Sequence, residues 1–398
     1  MNDKIYDLVY SSSSVVKTVP FKNLTLLNGG ELGLILYWSY LGKISNSNEF
    51  KDIAVEKLNS VFDKISRDPS TISNAKLFYG VPALLSVCKI LKQDALLNIE
   101  IDKETESALI YQFILNIEKD LDIDNTDFLY GFSGTIQFLA TYFKDREHDL
   151  TELISTVTLK LIKKANITKK GSFYFNSYFS KKNDTVSLGI SHGQCGILLS
   201  LCSLLEMGIC EKELSSHIPQ GIEYILSLTA DKDQNLASIF PTVTRYTEDK
   251  HSPFNNVFYG PRVAWCYGDI NIALLLYRAG RLLSNNDYIK IADSIGLHSA
   301  KRLSPENMLI DSAGFCHGAS SLVQFYKSLF KEGQKSYYDD AKKFWLAQAI
   351  FFYEKDLEYC NQREESKGDL LNGIVGSSIV LMSELLNDRT SWQELFTL

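Results

Sequence analysis

Several features that would assign this chain to a specialised class are missing from its 398 residues. No apolar run approaches the roughly 20 residues that cross a bilayer. The first residues lack the basic-then-apolar order of a signal peptide. Excess positive charge is also missing, because the formal net charge is −7 and no basic stripe stands out. We therefore expect no transmembrane segment, no secretory signal and no nucleic-acid partner.

Cysteine is sparse and irregularly placed. The chain has 7 Cys, an odd number scattered over its length. Reduced cytosolic thiols fit this pattern better than a disulfide framework does. The remaining composition, 45% apolar and 22% charged, is typical of an ordinary globular protein. We expect a cytoplasmic protein that forms a single domain over residues 1–398.

The chain does contain a repeat that is marked by glycine. In seven segments a glycine is followed by small or polar residues and then by an apolar run with helical spacing. The repeat glycines are Gly30, Gly80, Gly131, Gly193, Gly268, Gly318 and Gly373. Amphipathic, more polar stretches lie between them. This alternation predicts seven helical hairpins, each with an apolar inner helix and an amphipathic outer helix.

Two arrangements would cover seven apolar inner helices, a closed ring or an open solenoid. Solenoids usually end in polar capping repeats, whereas the first and last repeats here are as apolar as the middle ones. We therefore predict an all-α fold, an α/α toroid of about seven helical hairpins. Crowding where the inner helices converge would explain the small residues in their first turns.

Strand signals are confined to the stretches "GSFYFNSYF" and "ASIFPTVTRYT". The longest interval between repeat glycines contains a mixture of Pro, aromatic and charged residues. It predicts an insertion near the mouth of the toroid at about residues 230–262. A lid or peptide groove and an ordinary long connection are both open interpretations of this insertion.

Aligning the repeats on their glycines places the preceding residues on one rim. Cys266 and Cys316 then occupy equivalent positions in neighbouring repeats, and His317 stands beside the second. Two sulfurs and one imidazole are three protein ligands, the number that leaves the fourth position of a tetrahedral zinc open for chemistry. A single Cys before a helix is better explained as a small buried apolar residue. That structural interpretation applies to the other cysteines, Cys88, Cys195, Cys202, Cys210 and Cys360.

At this point the motifs "GISHGQCG", "RVAWCYGD", "FCHG" and "LLNGIVG" resemble the lanthionine synthetase C family, the zinc-dependent cyclases of class I lanthipeptide biosynthesis. The resemblance runs from the first repeat to the last and implies an α/α toroid with zinc at its mouth. It implies these roles: zinc ligands Cys266, Cys316 and His317, catalytic His192, and active-site Asp127, Arg262 and Tyr267. It gives no role to His148, His217, His251 or His298.

The resemblance also implies an activity. A Cys thiol of a dehydrated precursor peptide, made of leader and core, would add to a dehydroalanine or dehydrobutyrine of the same peptide. A separate dehydratase and an exporter would be partners, which leaves peripheral attachment to a membrane-associated complex open. The main alternative is a related protein that adds glutathione to dehydroamino acids. A zinc-dependent prenyltransferase lacks support because those enzymes include a carboxylate ligand, and a non-catalytic scaffold would not need the rim residues.

Overall fold

The structure, a computed structural model, describes residues 1–20, 23–120, 125–144, 150–176, 184–230, 236–246, 258–360, 367–387 and 390–398. A helix starts at or directly after each repeat glycine. These inner helices are α2 (Glu31–Ile44), α4 (Gly80–Gln93), α6 (Phe132–Tyr142), α8 (Gln194–Glu206), α10 (Asp269–Leu282), α12 (Ala319–Gly333) and α14 (Ile374–Leu385). The prediction of seven inner helices is confirmed.

A second set of helices alternates with the first along the chain. These outer helices are α1 (Asn2–Val16), α3 (Asn48–Arg67), α5 (Lys103–Asp120), α7 (Thr151–Lys163), α9 (Glu211–Leu226), α11 (Asn286–Ala300) and α13 (Ser336–Cys360). Burial distinguishes the two sets. Helix α2 is buried at every position over residues 31–42, whereas α3 buries only Phe50, Ala54, Leu58 and Val61, one stripe of an amphipathic helix.

The inner helices form a closed ring. Each of them packs against the next, from α2 through α4, α6, α8, α10 and α12 to α14. Helix α14 then packs against both α1 and α2, which closes the circle. The fold is therefore an α/α toroid, as predicted, and not an open solenoid. None of the helices in the described part of the chain is long and apolar enough to cross a membrane.

Short strands and turns connect the hairpins. Strand β1 (Asn166–Thr168) pairs antiparallel with β2 (Gly171–Phe173), and β3 (Thr185–Ser187) pairs antiparallel with β4 (Val243–Arg245). Strands β2 and β4 lie in the two stretches with strand signal, while β1 and β3 lie outside them. Helices of the 3-10 type cover Pro69–Ile72 and Trp392–Phe396. Residues 231–235 and 247–257 of the predicted insertion lie outside the described residues, and the insertion stays a prediction.

The loop before each inner helix folds back over the start of that helix. A Cβ added to Gly134 would lie 2.2 Å from the carbonyl oxygen of Phe128, and one added to Gly196 would lie 2.0 Å from that of Ile190. Gly376 follows the same pattern. These glycines stand three positions after a repeat glycine. Small residues in the first turn are therefore needed because the repeat's own loop approaches closely. The preceding repeat adds to the crowding, since the same added atoms would lie 3.2 Å from Cβ of Leu77 and 3.0 Å from Cβ of Phe128.

The centre of the ring is filled by aromatic side chains. The segment Trp392–Phe396, which we call the central plug, lies among the residues that precede the inner helices. The ring of Phe396 lies 5.1 Å from that of Phe78, 5.2 Å from Trp265 and 4.8 Å from Phe315, measured between centroids. The indole N–H of Trp265 donates to the carbonyl oxygen of Phe396 at 2.9 Å. The plug thus supports the residues that directly precede Cys266 and Cys316.

Close packing of the loop on α8 makes Gly196 a sensitive position. We expect Gly196→Ala to lower the free energy of unfolding by about 2 to 4 kcal/mol, because the Ile190 carbonyl must move to admit a methyl group. Urea denaturation of the purified variant measures this change.

Gly314→Ala is the matched control, since its added Cβ would meet no atom closer than 3.5 Å. Its unfolding free energy should stay within about 0.5 kcal/mol of the parent value. Equal destabilisation by the two substitutions would contradict the close approach at Gly196.

Candidate active site

Backbone hydrogen bonds connect the segments that precede successive inner helices. The amide of Leu129 donates to the carbonyl of Ser191 at 3.2 Å, Ser191 to Cys266 at 3.4 Å, Cys266 to Cys316 at 3.3 Å and Cys316 to Leu371 at 2.7 Å. Each of these five residues stands two positions before a repeat glycine. Equivalent positions of five repeats are therefore joined in one line, which we call the rim belt. The belt brings Cys266 and Cys316 side by side.

Three of the predicted site residues form a compact donor group. The sulfurs of Cys266 and Cys316 and a ring nitrogen of His317 all lie within 4.8 Å of one another. Ligand atoms around a tetrahedral zinc lie roughly 3.5 to 3.8 Å apart, which a small side-chain adjustment reaches from this arrangement. Cys266 is buried, and Cys316 and His317 are half-buried. The group has the number, type and spacing of donors that a zinc ion requires.

The two sulfurs differ in acidity. A hydrogen bond from the Cys266 thiol, with a smaller contribution from His317, lowers the pKa of Cys316 to about 6 although burial opposes this. Burial raises the pKa of Cys266 well above its usual value, and the adjacent Cys316 sulfur raises it further. The two shifts share one cause, the contact between the sulfurs, so the loss of the first proton belongs to the pair.

His192 lies on the same rim and is paired with Asp127. Its Nδ1 lies 2.7 Å from Oδ2 of Asp127, and the side chains are 14% and 2% exposed. The other carboxylate oxygen, Oδ1, accepts the backbone N–H of Tyr130 at 2.8 Å. With the carboxylate as acceptor, Nδ1 donates its proton, and Nε2 is the ring nitrogen left to act on a bound molecule. The sequence alone did not indicate which imidazole Asp127 contacts.

Arg262 and Tyr267 lie beside the donor group. The Tyr267 hydroxyl is 3.5 Å from Nη1 of Arg262. Burial raises the pKa of Tyr267, and the nearby Cys266 sulfur adds to the rise. Nε of Arg262 is buried and has no hydrogen-bond partner in the described part of the chain. Gly268 follows with a φ of +126°, a conformation that L side chains rarely adopt.

Among the residues that the structure describes, the remaining histidines and cysteines are not part of this group. His217 is hydrogen-bonded to the Tyr174 hydroxyl at 2.7 Å, and His298 to the Ala237 carbonyl at 3.1 Å. Burial raises the pKa of Cys202 to about 12, as expected for an unreactive thiol in a helix core. The other buried thiols are Cys88, Cys195 and Cys360, and Cys210 is half-buried. His148 and His251 lie outside the described residues.

Sequence reasoning missed two contacts to His192. The ring of Tyr130 stacks on the imidazole with centroids 5.8 Å apart and planes at 23°. The side-chain amide of Asn176 donates to the His192 carbonyl. Tyr130 gave a usable signal, since it directly precedes repeat glycine Gly131 as His192 precedes Gly193. Asn176 lies in a stretch that carried only a strand signal.

Comparisons with known proteins find similarity over nearly the whole chain. A family model described as lanthionine synthetase C-like protein matches residues 20–397. The nisin biosynthesis protein NisC of Lactococcus lactis subsp. lactis is 24% identical over an alignment of 399 positions, which covers 95% of this chain and 90% of that protein.

Solved structures give the same picture of the fold. A structure of nisin cyclase superposes with a TM-score of 0.78 at 19% identity, covering 99% of this chain and 96% of that one. A family 76 glycoside hydrolase from a bovine Bacteroides thetaiotaomicron strain reaches a TM-score of only 0.45 at 10% identity, over 96% of this chain and 77% of that one, a similarity too low to support an argument. Because the family model spans nearly the whole sequence, the chain belongs to the lanthionine synthetase C-like family.

Proposed function

We propose that the chain is a zinc-dependent lanthipeptide cyclase. It would form lanthionine and methyllanthionine thioether rings by adding Cys thiols of a dehydrated precursor peptide to dehydroalanine or dehydrobutyrine in the same peptide. One observation supports this proposal most directly. The donor group of Cys266, Cys316 and His317 and the Asp127–His192 pair lie on the same rim. The similar proteins are named as a nisin biosynthesis protein and a nisin cyclase, and these names support the same class of reaction.

The donor set suits zinc chemistry with sulfur. Thiolate and imidazole ligands favour zinc, and three protein ligands leave a position for a substrate. When bound, zinc supplies Lewis acidity that favours the thiolate form of an incoming thiol. Because Cys266 and Cys316 as thiolates already balance the charge of a divalent ion, a further sulfur stays electron-rich and nucleophilic. A His and carboxylate set would instead favour an activated water, as in hydrolases.

The rim residues supply the rest of the reaction. As the thiolate sulfur bonds to the β-carbon, the electron pair of the double bond moves towards the neighbouring carbonyl and forms an enolate. The guanidinium of Arg262 is the donor we assign to that oxygen, and the Tyr267 hydroxyl, 3.5 Å from Nη1, holds it. The proton lost by the thiol would be taken up at Nε2 of His192, which then delivers it to the α-carbon as general acid. Asp127 keeps Nδ1 in its hydrogen bond during the transfer.

The source of the thiol separates the cyclase from the glutathione-adding alternative. A thiol tethered to its acceptor reaches an effective concentration of roughly a millimolar or more without a thiol-binding pocket. A free anionic tripeptide needs several basic groups near the mouth. Within six residues before the seven repeat glycines the sequence has only three cations, Lys76, Arg262 and Lys367, each in a different repeat. This scarcity of positive charge supports the tethered thiol.

The substrate must already contain dehydrated Ser or Thr residues, because the proposed chemistry uses their double bonds and does not create them. A separate dehydrating reaction must therefore precede this one. An exporter partner, a cytoplasmic location and a leader-binding role for the insertion at residues 230–262 remain predictions. So does the assignment of residues 1–398 to a single domain.

Metal content tests the ligand set. We expect purified protein to hold about one zinc per chain and Cys316→Ala to lose most of it while keeping its helical content, since the apolar core does not depend on the site. Elemental analysis and circular dichroism measure both. Cys202→Ala, a buried Cys in α8, is the control and should keep full zinc. Full zinc in Cys316→Ala would refute the assigned ligands.

A second substitution separates metal binding from proton transfer. His192→Asn should keep zinc while the rate of ring formation falls by about two or more orders of magnitude, because the general acid is lost. The assay is disappearance of free thiol in a dehydrated peptide. His298→Asn is the control outside the rim and should leave the rate unchanged. Zinc loss in His192→Asn would make this residue a ligand, and a normal rate would remove it from the mechanism.

A competition experiment identifies the thiol that reacts. The protein is incubated with a dehydrated, Cys-containing precursor peptide and excess glutathione. The masses of the products are then measured by mass spectrometry. Intramolecular addition predicts loss of peptide thiol with no gain in mass. Products that mainly carry glutathione would favour the alternative enzyme, and unchanged peptide would argue against both.

A further inference from the structure

We propose that Tyr130 is a positioning residue for His192, which fixes the plane of the imidazole so that Nε2 points at the reacting carbon. This inference rests on the proposed role of His192 as proton donor and assigns that step a second, aromatic requirement.

Tyr130 contacts both members of the Asp127–His192 pair. Its ring stacks on the imidazole at 5.8 Å and 23°, an offset stack of the kind that aromatic rings prefer. Its backbone N–H donates to Oδ1 of Asp127 at 2.8 Å, while Oδ2 of the same carboxylate lies 2.7 Å from Nδ1 of His192. One residue therefore restrains the face of the imidazole directly and its carboxylate partner through the backbone.

The stack supplies a restraint that the hydrogen bonds from Asn176 and Asp127 do not supply. The amide of Asn176 holds the His192 carbonyl, which fixes the backbone but not the ring. Asp127 holds Nδ1, and a single hydrogen bond still allows the ring plane to tilt about that contact. A flat surface against one face removes this tilt. With the ring plane held by the stack, the direction of Nε2 is determined. Proton transfer requires this nitrogen to be aligned with its acceptor.

The Tyr130 ring stands on a loop that is itself held in place. The amide oxygen of Asn125 accepts the backbone N–H of Asp127 at 3.0 Å, and its amide nitrogen donates to the Tyr130 carbonyl at 3.0 Å. The backbone N–H of Phe132 donates to the Asn125 carbonyl at 2.9 Å. These bonds span the loop from 125 to the start of α6. The surface on which His192 rests is thus rigid before substrate arrives.

The repeat provides a matched control. Tyr79 directly precedes Gly80 as Tyr130 directly precedes Gly131, and both rings are half-buried on the rim. The Tyr79 ring lies against Tyr130, with centroids 6.3 Å apart and planes at 45°, one repeat further from His192 along the chain. Removing either ring deletes a similar amount of apolar packing, but only the Tyr130 ring forms the described stack on the imidazole.

The test compares Tyr130→Leu, Tyr130→Phe and Tyr79→Leu, with ring closure assayed on a synthetic peptide that carries one dehydroalanine and one cysteine. We expect Tyr130→Leu to lower kcat about tenfold with KM within about twofold, the size expected when one packing contact on a catalytic group is lost. Tyr130→Phe should restore kcat, because it keeps the stacked ring. Tyr79→Leu should change kcat by less than about threefold, and zinc content should be equal in all three.

A spectroscopic readout keeps this inference separate from the proposed activity. In protein with 15N-labelled histidine, the His192 ring nitrogens should give one sharp set of signals in the parent and in Tyr130→Phe. Tyr130→Leu should broaden or shift them. His192→Asn identifies the signals. This readout needs no substrate, so inactivity of the parent on the peptide would refute the cyclase proposal and leave the positioning test standing.

Two results would overturn the positioning role. One is an unchanged kcat and unchanged ring signals in Tyr130→Leu. The other is an equal loss in Tyr130→Leu and Tyr79→Leu, which would reduce Tyr130 to general packing. If circular dichroism shows that Tyr130→Leu does not fold, Tyr130→Met, with a flexible side chain of similar volume, takes its place with the same expectations.

Discussion

The rim belt is the constraint on which the site depends. A slip of one loop by one residue along the belt would move a ligand away from its partner. The bonds from Cys266 to Cys316 and from Cys316 to Leu371 exclude such a slip. The loops that form the belt are in turn pressed onto their helices where glycines such as Gly196 leave no room for a Cβ. The geometry of the donor group is therefore set by the backbone, with side-chain rotamers as the remaining freedom.

The belt also joins two chemically different halves of the rim. Ser191 and its neighbour His192 belong to the half that carries the acid–base pair, and Cys266 belongs to the donor half. Both the backbone N–H and the hydroxyl of Ser191 donate to the Cys266 carbonyl, at 3.4 and 3.2 Å. The donor group and the His192 imidazole are thus linked at a defined separation by these bonds. An addition that forms a C–S bond and then a C–H bond on adjacent carbons requires such a fixed separation.

Sequence periodicity was sufficient for the parts of this architecture that repeat. Glycine spacing predicted all seven inner helices and the ring, because each hairpin carries its own start signal. Grouping of Cys266, Cys316 and His317 followed from equivalent repeat positions. Contacts between unlike positions had no such signal. The partner of Asp127 and the stack of Tyr130 on His192 arise from neighbouring loops in space, and the plug around Phe396 has no counterpart in any repeat. The reason for the glycines that stand three positions after a repeat glycine also became apparent only from the path of the loops in the structure.

Closure of the ring has a consequence for the order of folding events. Helix α14 meets α1 and α2 across almost the whole length of the sequence, and loop-closure entropy must be overcome before these contacts form. The Cys316 amide bonds to the Leu371 carbonyl just before α14, so this side of the donor group is complete only when the last inner helix has docked. A half-folded ring would expose apolar inner helices and would lack the complete donor group. Ligand geometry and ring closure are therefore linked, and any ion that binds the completed group stabilises the closed ring over every open form.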